Sequence, residues 1–151
     1  MTSPLIYRAI NGDELDICYI IGIIIAVLGI VIEALSDFQK NNAKKKNPNR
    51  FCDTGLFIIV RCPNYFGELV IWTGVFISGF TTLASIGQWI IAIIGYLGIV
   101  YIMFSGARRL ELRQDRTYGN DKEYQDYVKK TPILIPLIPL YSVKKHKWLV
   151  G

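Results

Sequence analysis

The chain has 151 residues, 52% of them hydrophobic, with a formal net charge of +5 and a mean hydropathy of +0.33, which is more apolar than a soluble domain usually is. Its apolar residues gather into long blocks and its Lys and Arg flank those blocks, where cations anchor helices at lipid headgroups. That placement sets nucleic-acid binding aside in favour of a membrane protein, and three cysteines with one histidine, His146, give neither a disulfide framework nor a zinc site of the usual kind.

The first apolar block follows Asp13, Glu14 and Asp16 instead of a basic stretch, so no signal peptide is recognisable. Residues 17–35 (ICYIIGIIIAVLGIVIEAL) hold one charge, Glu33. At about 1.5 Å per residue they are long enough to cross a hydrocarbon core about 30 Å thick. Ser36-Asp37-Phe38-Gln39-Lys40 follows, with Lys44 one to two turns later. This cluster suits either a headgroup anchor or a polyanion. Residues 55–60 (GLFIIV) are too short to cross and are expected in the interface or under the bundle.

Arg61-Cys62-Pro63-Asn64-Tyr65-Phe66-Gly67-Glu68 stands where the basic loop enters the second span. Proline favours the first helical turn, which predicts a start near Pro63. Asn64 and Glu68, four apart, then share a face. An ionisable Glu at the mouth of a span is costly unless paired or wetted. From the residues alone it reads equally as a functional group or as a snorkelling cap. The second span is expected over 69–85 and the third over 89–107, with Trp72 and Trp89 near span ends. Ile86-Gly87-Gln88 would make the tight hairpin between them.

A polar helix is expected to continue the third span over 108–127, interrupted near Gly119-Asn120-Asp121. On it Arg108, Glu111 or Leu112, and Asp115 share one face, and Arg109, Arg113 and Arg116 another. Alone, this reads as a solvated, salt-bridged helix end. Residues 132–143 (PILIPLIPLYSV) hold three prolines, which argues against a straight spanning helix. They read as an interfacial or re-entrant segment over the cytoplasmic face.

Lys40, Lys44, Lys45, Lys46, Arg50 and Arg61 lie between the first two spans, and ten further Lys or Arg follow the third, while Arg8 alone is left for the other side. The positive-inside rule therefore makes both basic segments cytoplasmic, where the thiols are expected to stay reduced. The expected fold is all-α: a single polytopic membrane helical bundle over 1–151, with about three transmembrane helices plus interfacial segments. Convergence of three polar clusters on one face favours a pocket for a polyanion.

In this order the residues resemble the C-terminal part of the steroid 5α-reductase superfamily, in its branch of membrane proteins from bacteria and eukaryotes. The resemblance rests on Asp37, Gln39 and Lys40, on Gly55-Leu56-Phe57, and on Arg61 to Glu68 against a pattern R-H-P-N-Y-F-G-E. It continues through Leu110-Glu111, Arg113, Asp115, Tyr118-Gly119, Glu123-Tyr124, Tyr127 and Thr131-Pro132. It implies NADPH bound in a cytoplasm-facing cavity of a helical bundle and reduction of a carbon–carbon double bond in a steroid- or lipid-like substrate. By that resemblance Asn64 and Glu68 meet the nicotinamide or adjoining ribose, with Arg61 and Tyr65 from the same turn. Asp37, Lys44, Arg108, Glu111 and Arg113 line the remainder of the site. No catalytic residue and no metal ligand is assigned.

Two departures matter. Cys62 stands where the family has His, removing a ring donor and a titratable group. The family's chains are also about twice as long, with the substrate-activating acid and tyrosine in upstream spans that this sequence lacks. The chain thus looks like the cofactor-binding half of such an enzyme, whether truncated, split or partial. Two alternatives stand beside it: an S-adenosylmethionine-dependent membrane methyltransferase of the isoprenylcysteine type, similar at the R-H-P turn, and a non-catalytic homologue. The expected partners are the lipid bilayer, a hydrophobic substrate, and either a second copy or a missing N-terminal half. The expected membrane is the endoplasmic reticulum in a eukaryote and the inner membrane in a bacterium.

Overall fold

The computed structural model describes residues 1–11 and 15–150; Gly12, Asp13, Glu14 and Gly151 lie outside the described residues, and with them two of the three acids noted before the first apolar block. Regular structure among the described residues is helical throughout: α1 (Ser3–Asn11), α2 (Ile17–Lys46), α3 (Pro63–Ser78), α4 (Ile86–Tyr118) and α5 (Lys122–Lys130), with short 3-10 turns at Gly55–Ile58 and Phe80–Thr82. α2 and α4 are long and apolar enough to cross a membrane. Only 11% of the apolar stretch of α2 and 28% of that of α4 is buried, whereas a soluble protein's core helix would be mostly covered. Ile20, Ile24, Val27 and Leu28 of α2 and Ile90, Ile94, Leu97 and Ile102 of α4 are exposed. An apolar surface of that extent belongs against lipid, and the chain is a helical membrane protein.

The described chain divides into two compact units, 1–31 with 67–102 and 32–66 with 103–151. In the first, α2 and α3 pack backbone to backbone through small residues. A methyl group on Gly22 would stand 2.5 Å from the Gly74 carbonyl oxygen, and one on Gly29 2.7 Å from that of Gly67. Small residues at such crossings let apolar helices gain close contact where lipid offers no hydrophobic drive. Between α3 and α4, the hydroxyls of Thr73 and Tyr96 meet at 2.8 Å, and Thr73 also donates to Leu69 O.

The middle helix differs from the expected span over 69–85. It begins at Pro63, where a first-turn proline places it, but ends at Ser78. The reason is α1. Gly79 is pressed so closely against Pro4 that a methyl group there would stand 2.7 Å from the Pro4 carbonyl oxygen. Arg8 Nη1 donates to Ser78 O at 3.1 Å, satisfying a carbonyl that the ending helix leaves open. With 16 residues α3 covers about 24 Å, short of the hydrocarbon thickness. The expected hairpin at Ile86-Gly87-Gln88 is instead the first turn of α4. Ser85 Oγ accepts from Gln88 N at 3.3 Å, and Gln88 Oε1 accepts from Ala84 N at 2.8 Å, a reciprocal cap that starts the helix there.

In the second unit α4 runs on past its apolar stretch to Tyr118, and the chain breaks at Gly119 and Asn120 before Asp121 caps α5 through Glu123 N. That is the interruption read from the sequence. Phe51 is buried among Tyr118, Tyr124 and Tyr127, at ring separations of 5.9, 5.3 and 5.3 Å. Tyr127 donates to Phe57 O and Tyr124 to Asp115, and burial pushes both phenols above their ordinary range. Gly55 takes φ +63°, and Gln39 Oε1 accepts from Leu56 N at 2.9 Å, so the glutamine pins the 3-10 turn to α2. Residues 132–149 form no helix. Arg61 N and Cys62 N donate to the carbonyls of Pro132 and Ile133, and Ile133, Leu134, Val143 and Leu149 bury their side chains.

Candidate functional site

Two helix faces and one loop of the second unit enclose a cavity of about 240 Å³. α2 contributes Lys40 and Lys44, one turn apart and therefore on one face. α4 contributes Leu110, Arg113, Gln114, Thr117 and Tyr118, whose spacings of three and four mark a single face. Phe51 and Cys52 come from the basic loop, Phe57 from the 3-10 turn, and Asn64 from the first turn of α3. Three of the eleven lining residues are cations and none is a carboxylate. Such a cavity attracts an anion, and Phe51, Phe57 and Tyr118 give it flat apolar walls.

Lys44 is held tightly. Its Nζ donates to Pro48 O at 3.1 Å, to Arg50 O at 2.7 Å and to the Tyr118 hydroxyl at 2.7 Å, which uses all three ammonium donors. It shapes the loop and lends the cavity its charge. Lys40 and Arg113 carry no such set of bonds, and the Asn64 side chain makes no hydrogen bond among the described residues.

Arg61 and Glu111 meet each other instead of the cavity. Arg61 Nη2 donates to Glu111 Oε1 at 2.9 Å and to Tyr141 O. Glu111 Oε2 accepts from Val143 N at 2.9 Å and Lys144 N at 3.1 Å. Arg108 donates to Lys144 O and Leu149 O. Tyr65 lies against Gly106 of α4, where a methyl group would stand 3.2 Å from its ring. Asp37 is exposed on α2, and Glu68 is half-buried one turn beyond Asn64, in the first unit. The structure thus brings Lys44, Asn64 and Arg113 together. It ties Arg61, Arg108 and Glu111 to the C-terminal segment, and Asp37, Tyr65 and Glu68 do not line the cavity.

Gln114, Thr117 and Tyr118 line the cavity although sequence reasoning gave them no site role, and Lys40, from the cluster read as a headgroup anchor or a polyanion site, lines it beside them. Helix periodicity was the available signal: Lys40 precedes Lys44 by four, Arg113 precedes Thr117 by four, and Gln114 precedes Tyr118 by four. Cys62 is buried, and burial pushes its thiol up to about 12. A neutral thiol there is neither nucleophile nor acid at ordinary pH. Among the described residues no group of three or more His, Cys, Asp or Glu is placed to hold a metal ion.

Residues 1–131 match the family described as Protein of unknown function (DUF1295). The chain is similar to 3-oxo-5-alpha-steroid 4-dehydrogenase 1 of Rattus norvegicus, 28% identical over 123 residues, which covers 80% of this chain and 42% of the relative. It is 30% identical over 124 residues to the Mus musculus protein of the same name, covering 80% and 43%. To steroid 5-alpha-reductase DET2 of Gossypium hirsutum it is 26% identical over 123 residues, covering 80% and 42%. The chain therefore spans less than half the length of these curated relatives. No solved structure matches it significantly.

Proposed function

Because the chain belongs to the steroid 5α-reductase superfamily, we propose that it is the cofactor-binding part of a membrane reductase, and that its cavity takes the phosphate-bearing portion of NADPH. The observation that carries this reading is the cavity's lining of Lys40, Lys44 and Arg113 without a carboxylate. Arg and Lys supply charge and donors together to a phosphate. The rings of Phe51, Phe57 and Tyr118 give the cavity apolar walls, and the Asn64 amide presents a donor and an acceptor. A volume of about 240 Å³ is below the range of about 300–1,000 Å³ usual for a whole ligand, so the fit is to part of a dinucleotide.

When bound, NADPH would supply the hydride for reducing a carbon–carbon double bond; the protein's share is binding, orientation and exclusion of water. The names of the relatives point to a 3-oxo-steroid as the substrate class, and the exposed apolar faces of α2 and α4 keep such a molecule within lipid. Three crossings put both basic segments on one face, α3 crossing where the bilayer thins to its 16 residues; by the positive-inside rule that face is cytoplasmic, in the endoplasmic reticulum of a eukaryote or the inner membrane of a bacterium. S-adenosylmethionine, a sulfonium cation, is disfavoured by a cavity of three cations.

Titration calorimetry on the purified protein in nanodiscs tests this, with NADPH, NADH and S-adenosylmethionine against Lys40→Ala, Asn64→Ala and Arg113→Ala. NADPH is expected to bind, and each charge removed to weaken it about 10- to 100-fold, since hydrogen bonds to charged groups are worth about 1.5–3 kcal/mol. NADPH affinity unchanged in all three variants would sink the proposal.

A further inference from the structure

The C-terminal segment offers a feature that the cavity does not use. Ile133 N donates to Leu140 O at 2.8 Å, closing a loop over 133–140, and within it Leu140 N donates to Ile138 O at 2.7 Å. The loop is fixed at both ends. Arg61 N and Cys62 N hold the carbonyls of Pro132 and Ile133 on one side, and Arg61 and Glu111 hold Tyr141 O, Val143 N and Lys144 N on the other. Ile133 and Leu134 plug into the protein, and the tip points away from it. Leu137 is 100% exposed, Ile138 is 48% exposed, and the prolines at 136 and 139 stiffen the chain around them.

Leu137 also has φ 66°, a conformation that a residue with a β-carbon rarely adopts. A leucine held there, fully exposed, by a loop anchored through a buried ion pair is a presented group. Directly after the loop come Lys144, Lys145, His146 and Lys147, all exposed, and Trp148, 65% exposed. Lys144 is paired with Asp115, so Lys145 and Lys147 are the cations that face outward. An apolar tip followed in the sequence by exposed lysines and an indole is the composition of a segment seated at the boundary between headgroups and acyl chains. The lysines complement anionic headgroups.

We propose that the loop over 134–141 is an interfacial anchor: Leu137 and Ile138 enter the acyl region of the bilayer, and Lys145 and Lys147 bind anionic phospholipid headgroups beside them. The occupant of this surface is the lipid of the membrane that the chain's own helices cross. The inference rests on the membrane character of the chain and not on the proposed cofactor.

A fluorophore (NBD) on Leu137→Cys, in a Cys18→Ser/Cys52→Ser background that keeps the buried Cys62, reads the outcome in nanodiscs of phosphatidylcholine with or without phosphatidylserine. Lipid-borne doxyl groups should quench it, aqueous iodide should not, and its emission should shift further to the blue with phosphatidylserine. Lys145→Glu and Lys147→Glu each alter only an exposed side chain. Each should weaken the phosphatidylserine-dependent seating about fivefold, at about 1 kcal/mol per lysine. Quenching by iodide and not by lipid would overturn the proposal by placing the loop in water. Quenching by neither would overturn it by placing protein over the tip. NADPH affinity measured on the wild-type protein in the same nanodiscs judges the cofactor reading separately.

Discussion

The guanidinium of Arg61 and the carboxylate of Glu111 lie 2.9 Å apart, each side chain 1% exposed, though the two residues are fifty positions apart in the sequence. Glu111 also accepts from two backbone amides of the C-terminal segment, so the pair ties the turn before α3, the polar half of α4 and that segment into one cluster. A buried pair of this kind resists loss of either partner, because the survivor is left charged and uncompensated. Arg61→Ala and Glu111→Ala are each expected to destabilise by about 3–5 kcal/mol. Unfolding in detergent checks the size, and hydrogen exchange should show the amides of Val143 and Lys144 losing protection first. Arg113→Ala, at a cavity wall, should leave stability nearly unchanged while weakening the cofactor. That contrast separates a residue that holds the fold from one that meets a ligand.

These two roles were not separable in the sequence, and the reason is range. The start of α3 at Pro63, the run of α4 into Tyr118 and the break before Asp121 depend on residues within a turn or two, and they were legible. The end of α3 at Ser78 depends on α1 arriving from some seventy positions away to press Pro4 on Gly79 and to aim Arg8 at Ser78 O. Local hydropathy carried the expected span straight through that point. The Arg61–Glu111 pair is likewise a long-range contact between two residues that a phosphate site would equally have used. In the cavity, Lys40, Lys44, Asn64 and Arg113 were singled out by local charge and helix-face clustering, and the resemblance gave Lys44, Asn64 and Arg113 their cofactor role, whereas Thr117 follows only from helix periodicity applied to Arg113.

Lys44 gives the second prediction. Its three bonds reach two carbonyls of the basic loop and the Tyr118 hydroxyl, a geometry made for a compact ammonium. Lys44→Met is expected to cost about 1–3 kcal/mol by leaving those acceptors unmet. Lys44→Arg should rescue the charge without the stability, since a planar fork cannot reproduce three diverging donors. If the residue only lends charge, Arg will restore NADPH affinity in full; if it shapes the loop, Arg will restore little. The bonding pattern predicts the second result, and paired thermal melts and titrations decide.

Arg8 gives the third. Besides capping α3 it donates to Asp16 at 2.8 Å and lies 4.1 Å from the centre of the Tyr19 ring. Arg8→Met should release α1 and destabilise by about 2 kcal/mol, in the range for hydrogen bonds to charged groups. Hydrogen bonds from Thr81, Arg8 and Tyr19 N hold the Asp16 carboxyl well below the usual carboxylate range. A depressed folded value means the carboxylate's contribution is present above its ordinary 3.8 and fades as pH falls below it. Melting temperature should therefore drop on acidification below that value in the wild type. Asp16→Asn, which has no carboxylate to titrate, should show a flatter acid limb.

The thiols supply the last prediction, because two of them bear on the cavity in opposite ways. Cys52 is half-buried and lines the cavity; Cys62 is fully covered, with its thiol pushed up to about 12. Alkylation by iodoacetamide near neutral pH should modify Cys52 and spare Cys62 until the protein is unfolded, since the reactive species is the thiolate. A raised folded value also means that the protonated Cys62 adds stability that is whole below the ordinary 9.0 and is lost as pH rises through about 12. Cys62→Ala should blunt that part of the alkaline decline, though Tyr124 and Tyr127 titrate in the same direction and will leave a remainder. Bound NADPH should shield Cys52 and leave the pattern at Cys62 untouched. Peptide mass mapping reads both sites at once. If Cys52 is alkylated at the same rate with and without saturating NADPH, the cofactor does not occupy this cavity, however well it binds elsewhere.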